Sequence, residues 1–188
     1  MKINISEMPL GQKPTGFTEA LTGQGDAVKW QVLEDPSDPT HRVIAETSRD
    51  TADYRFPLCI WDDLIAKDVQ VTIRFKAVDG SVDQAAGIAL RLQDANNYYV
   101  VRANALEDNV RLYKVVAGVR RQIAGKQLLV SKNVWHTLGL RSDGDELEVS
   151  FDGVSLMQIR DQTFVIAGKV GLWTKADSLS HFKEINIE

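Results

Sequence analysis

Between Asp68 and Lys76 the chain reads Asp-Val-Gln-Val-Thr-Ile-Arg-Phe-Lys, with an apolar side chain at every second position. That is the period of a strand with one dry and one wet face, because successive side chains of an extended backbone leave on opposite sides. Similar runs follow at residues 86–93, 97–103, 109–116, 119–124, 135–141, 146–151, 154–159, 170–174 and 182–187. No stretch of comparable length carries an apolar period of 3.6. Asp152-Gly153 is the dipeptide of a two-residue hairpin, Ala117-Gly118 offers a second, and Asp94-Ala95-Asn96 supplies short side chains that satisfy a tight bend. The first sixty residues are less regular and hold all five prolines, at 9, 14, 36, 39 and 57. Strands are predicted there at residues 30–33 and 42–47. Roughly a dozen short strands at this spacing predict an all-β, antiparallel two-sheet sandwich of the jelly-roll kind.

Composition sharpens this in a few respects. A chain of 188 residues, 44% of them apolar, can bury one sizeable core, so a single domain over residues 1–188 is expected. Its 22 basic and 26 acidic residues give a formal net charge of -4, which argues against a surface built to neutralise a phosphate backbone. Nucleic acid is therefore not an expected partner. Neither a membrane span nor a signal-peptide core is present, since the opening Met1-Lys2-Ile3-Asn4-Ile5-Ser6-Glu7-Met8-Pro9 has no continuous apolar stretch. The one cysteine, Cys59, lies among apolar neighbours and reads as a buried thiol.

Alternation also selects candidate binding residues. If Ile88, Leu90 and Leu92 enter the core, then Ala89, Arg91 and Gln93 point outward. If Tyr99 and Val101 enter, then Tyr98, Val100 and Arg102 point outward, and burial of Val110 and Leu112 exposes Arg111 and Tyr113 on the next strand. Lys175, two residues after Trp173, flanks the same face. Arg91, Tyr98, Arg102, Arg111, Tyr113 and Lys175 would form a polar platform suited to sugars, whose rings rest on aromatic faces while planar donors fix their hydroxyls or carboxylates. A solvated face laced with cross-strand pairs fits the same pattern. His41, His136 and His181 have no ligand-like spacing, and neither Gly-x-Ser-x-Gly nor His-Glu-x-x-His occurs. Asp62-Asp63, Asp94 with Asn96, and Asp143 with Asp145 gather oxygens that could contribute to a calcium site, although none completes a coordination loop.

The segments Ala86-Gly87-Ile88-Ala89-Leu90-Arg91, Asp94 to Arg102, Trp135-His136, Asp152-Gly153 and Gly168 to Asp177 resemble the concanavalin A-like lectin and glucanase jelly rolls. Within that superfamily they look closest to bacterial, usually exported, laminin G-like and 3-keto-disaccharide-hydrolase-like domains. The resemblance implies a carbohydrate or polysaccharide ligand, an extracellular or periplasmic location, and calcium as a possible cofactor. Two alternatives stay open: an enzyme acting on 3-keto-glycosides or glucans, and a laminin G-like protein-interaction module. Against the enzyme, the family 16 glycosidase strand of three spaced carboxylates is not matched by Glu146-Leu147-Glu148-Val149-Ser150-Phe151, and retention needs two carboxyls about 5 Å apart. A non-catalytic carbohydrate-binding domain is the leading expectation.

Overall fold

The computed structural model describes residues 1–188, and fourteen strands account for most of them. After a 3-10 turn at Ile5–Glu7 come β1 (Phe17–Gly23), β2 (Trp30–Asp35), β3 (Asp38–Glu46), β4 (Arg55–Trp61) and β5 (Val69–Asp79). Next are β6 (Ala85–Asp94), β7 (Asn97–Asn104), β8 (Asn109–Val116), β9 (Val119–Gln127) and β10 (His136–Asp143). The chain closes with β11 (Glu146–Phe151), β12 (Val154–Arg160), β13 (Lys169–Trp173) and β14 (Leu179–Ile187). Sheet I is ordered β1-β4-β13-β6-β7-β8-β9 and sheet II β12-β11-β10-β5-β14-β3-β2, with every strand pair antiparallel. This is the sandwich the alternating pattern predicts.

Between the sheets lies a core built from the inward residues of both. Ile88, Leu90, Tyr99, Val101, Val110 and Leu112 come from sheet I, and Val71, Ile73, Phe75, Leu138, Val149 and Phe182 from sheet II. The hairpins follow their sequence signals: Ala117 and Gly118, and again Asp152 and Gly153, both have φ > 0, as a right-twisted two-residue turn requires.

Two strands escape the sequence pattern. β1 alternates poorly, and β4 carries Pro57, which as a residue without an N–H reads as a break. The structure accommodates it because the ladder between β4 and β13 spans only Leu58, Cys59 and Ile60, so the missing donor falls outside it. Cys59 is buried in the core, and burial pushes its thiol pKa well up.

Candidate functional site

The outer face of sheet I is the chemically distinctive surface. Its middle is dry: Phe56, Leu58, Ile60, Ala89, Tyr98, Val100, Tyr113, Val115 and Trp173 form a second apolar cluster on the side away from sheet II. What covers it is the sheet itself. β4 and β9 are five strand spacings apart, about 24 Å on a flat sheet. Yet the Arg120 guanidinium of β9 lies 4.5 Å from the Phe56 ring of β4, 4.5 Å from Tyr113 and 5.8 Å from Trp173. The Tyr54 hydroxyl, just before β4, donates to Gly118 O at 2.8 Å and accepts from the Arg120 amide at 2.9 Å. Sheet I therefore curls around its outer face, which is concave.

On this face one row of neighbours runs Trp173, Gly87, Arg102, Arg111, from β13 to β8. Gly87 makes the row possible, since a Cβ there would stand 3.2 Å from the Trp173 ring and 3.3 Å from Arg102 Cβ. Arg102 and Arg111 are direct cross-strand partners, an arrangement of like charges that costs stability unless neutralised. One carboxylate serves both: Glu107 Oε2 is 2.8 Å from Arg102 and 3.7 Å from Arg111. Arg102 also donates to the Tyr113 hydroxyl at 3.2 Å and to Asn109 Oδ1, and Asn109 Nδ2 donates to Glu107 at 3.1 Å. Burial pushes the Glu107 carboxyl up, but the Asn109 hydrogen bond and the Arg102 charge outweigh it and hold the pKa below the ordinary glutamate value. At the end of the face Lys175 is clamped by Asp53 and by Asp83, the latter at 2.8 Å. Burial lowers its pKa, and those two carboxylates more than reverse the effect.

Three of the six residues selected by alternation thus meet, Arg102, Arg111 and Tyr113, while Lys175 stands apart with Asp53 and Asp83. Tyr98 shares their face but is fully buried as part of the floor, its hydroxyl 2.7 Å from Thr22 Oγ1 and 3.3 Å from Trp173 Nε1. Burial raises its pKa to about 12. The covering strand β1 was invisible in the pattern, so its closure over Tyr98 was too. Arg91 requires a correction. It has φ +48°, and the pairing of β6 is irregular between Leu90 and Asp94, so the alternation slips by one residue. Leu92 consequently joins the outer apolar cluster. Arg91 instead runs to the end of the sandwich, donating to Lys67 O at 2.9 Å, Phe164 O at 2.7 Å and Gly144 O at 2.6 Å.

Alternation missed Arg120, Glu107 and Asn109. Arg120 lies on an edge strand with weak apolar period, and Glu107 in a turn, where no period speaks. The guanidinium cluster also contains buried donors without an acceptor, Arg102 Nε and Arg120 Nη1.

Other polar groups singled out by sequence are internally engaged. Asp62 accepts from Thr18 and Lys169, Asp94 from Asn96 N and Asn97, and Asp143 and Asp145 pair with Arg141 and Arg160. No group of three or more His, Cys, Asp or Glu side chains is placed to hold a metal ion. Glu146 accepts from Gln158 and Glu148 from Ser155, on sheet II. The largest cleft, about 380 Å³, lies away from the arginines between the N-terminal segment, β3 and β14, and its lining of Lys2, Asn4, Ser6, Thr40, His41, Arg42, Lys183 and Glu184 has only Ile3 and Ile5 as apolar members. The candidate site falls on sheet I because Arg102 is buried there and held by Glu107, Asn109 and Tyr113, with Arg111 and Arg120 half-buried beside it, whereas that cleft is bordered mostly by exposed chains.

The fold is a concanavalin A-like jelly-roll sandwich. Among solved structures it is similar to carbohydrate binding module CBM66 from Bacillus subtilis, with 20% identity, 93% of this chain and 96% of that one covered, and a TM-score of 0.71. A protein of unknown function with galectin-like fold, also from Bacillus subtilis, is 11% identical over 90% of this chain and 88% of that one, with a TM-score of 0.63. The GH16 protein of the Bacteroides ovatus mixed linkage glucan PUL, solved in complex with a G4G4G3G product, is 10% identical over 90% and 94%, with a TM-score of 0.61. No family model and no curated protein matches the sequence.

Proposed function

We propose that this chain is a non-catalytic carbohydrate-binding module whose ligand docks on the concave face of sheet I, against Arg102, Glu107, Arg111, Tyr113 and Arg120. One observation carries the reading: two cross-strand arginines share a single carboxylate, and one of them, Arg102, donates to the Tyr113 hydroxyl, beside Trp173 on a curled face. A purely structural face would pair such arginines with separate carboxylates or replace one of them, because the repulsion offers folding nothing. For a ligand the same cluster supplies a rigid fan of donors next to aromatic carbon, the combination sugar rings need. The likeness in fold to a carbohydrate binding module and to a glucan-bound protein supports the same reading, and makes an extracellular setting, with polysaccharide as the partner, the natural one.

The test is a binding screen of the whole chain against neutral and acidic polysaccharides by affinity electrophoresis, followed by calorimetry on oligosaccharides. Arg111→Ala is the diagnostic variant, because its side chain is 36% exposed and its removal relieves the like-charge pair with Arg102, so the fold is expected to stay intact. We expect at least a tenfold loss of affinity, about the worth of one charge-assisted contact, at unchanged melting temperature. A protein that binds no polysaccharide, or one whose affinity is untouched by Arg111→Ala, overturns the proposal.

A further inference from the structure

We infer that the ligand of this face is an acidic saccharide, one whose ring carries a carboxylate or sulfate, and that its anionic group takes the place now held by Glu107 between Arg102 and Arg111. The inference rests on the carbohydrate-binding reading and narrows it. Its first support is charge. Arg102 and Arg120 stand over the Tyr113 ring, and Arg102 and Arg111 share Glu107, the one carboxylate that ion-pairs with any of these three guanidinia, while Lys175 at the end of the face already has two carboxylates of its own. In a chain with net charge -4 this is a local surplus of the opposite sign.

The second support is the hydrogen-bond inventory. The buried polar atoms left without a partner in this cluster, Arg102 Nε and Arg120 Nη1, are both donors. A guanidinium has no acceptor to offer, and a hydroxyl that meets it still has a proton of its own to place. Carboxylate and sulfate oxygens only accept, so they match a cluster whose unpaired groups are donors alone. Leaving such donors buried and unpaired is costly, and since the Glu107 carboxylate does not reach them, it is the further acceptor oxygens of the ligand that recover that cost.

The third support is Glu107 itself. It stands in the turn between β7 and β8, where Asn104 Oδ1 accepts from the Leu106 and Glu107 amides and fixes the backbone. Its side chain is 40% exposed, so it can swing to solvent without unfolding anything. When it leaves, Asn109 Nδ2 and both guanidinia present their donors at the vacated position.

Calorimetry on the full chain separates the readings, using oligogalacturonate, a sulfated galactan oligomer and a neutral galactan oligomer of equal length, each at low and at raised salt. We expect either acidic oligomer to bind at least tenfold more tightly than the neutral one, and its affinity to fall as salt rises, as charge pairing at a partly exposed site requires. Glu107→Gln keeps the shape and removes the competing charge, so acidic oligomers should bind severalfold more tightly and the neutral one unchanged. Equal or tighter binding of the neutral oligomer, or weakening by Glu107→Gln, would make Glu107 a hydroxyl acceptor and overturn this inference while leaving carbohydrate binding in place. If none of these or any other polysaccharide binds, both fall.

Discussion

At the scale of single residues, two positions show how packing and charge decide what the sequence leaves open. Gly87 is one. A Cβ there would lie 2.6 Å from the Val101 carbonyl oxygen as well as against Trp173 and Arg102, and a backbone atom in a sheet cannot yield. Gly87→Ala should cost about 1–3 kcal/mol, measured by denaturant unfolding, through overpacking rather than loss of flexibility. The other is His181, buried on the outer side of sheet II opposite Lys76, with its Nδ1 unpartnered. Burial, then the charge of Lys76, lowers its pKa from 6.5 to about 4, against a smaller opposing pull from Asp35. The unfolded chain therefore binds the proton more readily, and stability falls as pH drops from about 6.5 towards 4, by up to about 3 kcal/mol. His181→Gln should flatten that slope in chemical denaturation measured across the window, and an unchanged slope would assign it to other groups.

At the scale of strands, the period of two was legible wherever one face is dry and the other wet. β5, β10 and β11 are of this kind, and each appears where the pattern puts it. Sheet I is harder to read because the middle of both its faces is buried: Ala85-Ala86-Gly87-Ile88-Ala89-Leu90 and Tyr98-Tyr99-Val100-Val101 are nearly continuous apolar runs whose register rests on a few polar residues. The register was legible for Arg102, Arg111 and Tyr113, and was lost at Arg91, where an irregular step in β6 carries no sequence signal. β1 and β4 were hidden by weak alternation and by Pro57. The displaced Arg91 now ties three loops at one end of the sandwich through their carbonyl oxygens. Arg91→Ala should accordingly destabilise by about 2–4 kcal/mol, since it strips buried carbonyls of charged donors. Its affinity for saccharide, measured below the transition temperature, should match the wild type.

At the scale of the whole molecule, the curl of sheet I does two jobs through one contact. β9 is an edge strand, and an edge presents unpaired N–H groups that invite another chain. Tyr54 takes one of them, the Arg120 amide, and donates its own O–H to Gly118 O, so a residue from beside β4 closes the edge while fixing how far the face is curled. The same link holds the Arg120 side chain over Phe56 and Tyr113, and so sets the width of the concave face. Tyr54→Phe keeps the ring, which meets Phe56 edge-on at 4.8 Å, and deletes only the hydroxyl. The expected cost to global stability is small, about 1 kcal/mol. Local opening should respond far more: the Arg120 amide, left facing solvent at an edge, should exchange its hydrogen at least about tenfold faster, while amides in β6 and β7 keep their protection. Hydrogen exchange that stayed uniform across the sheet would mean that the curl is set by the strands' own twist and packing, with Tyr54 resting on a shape already made.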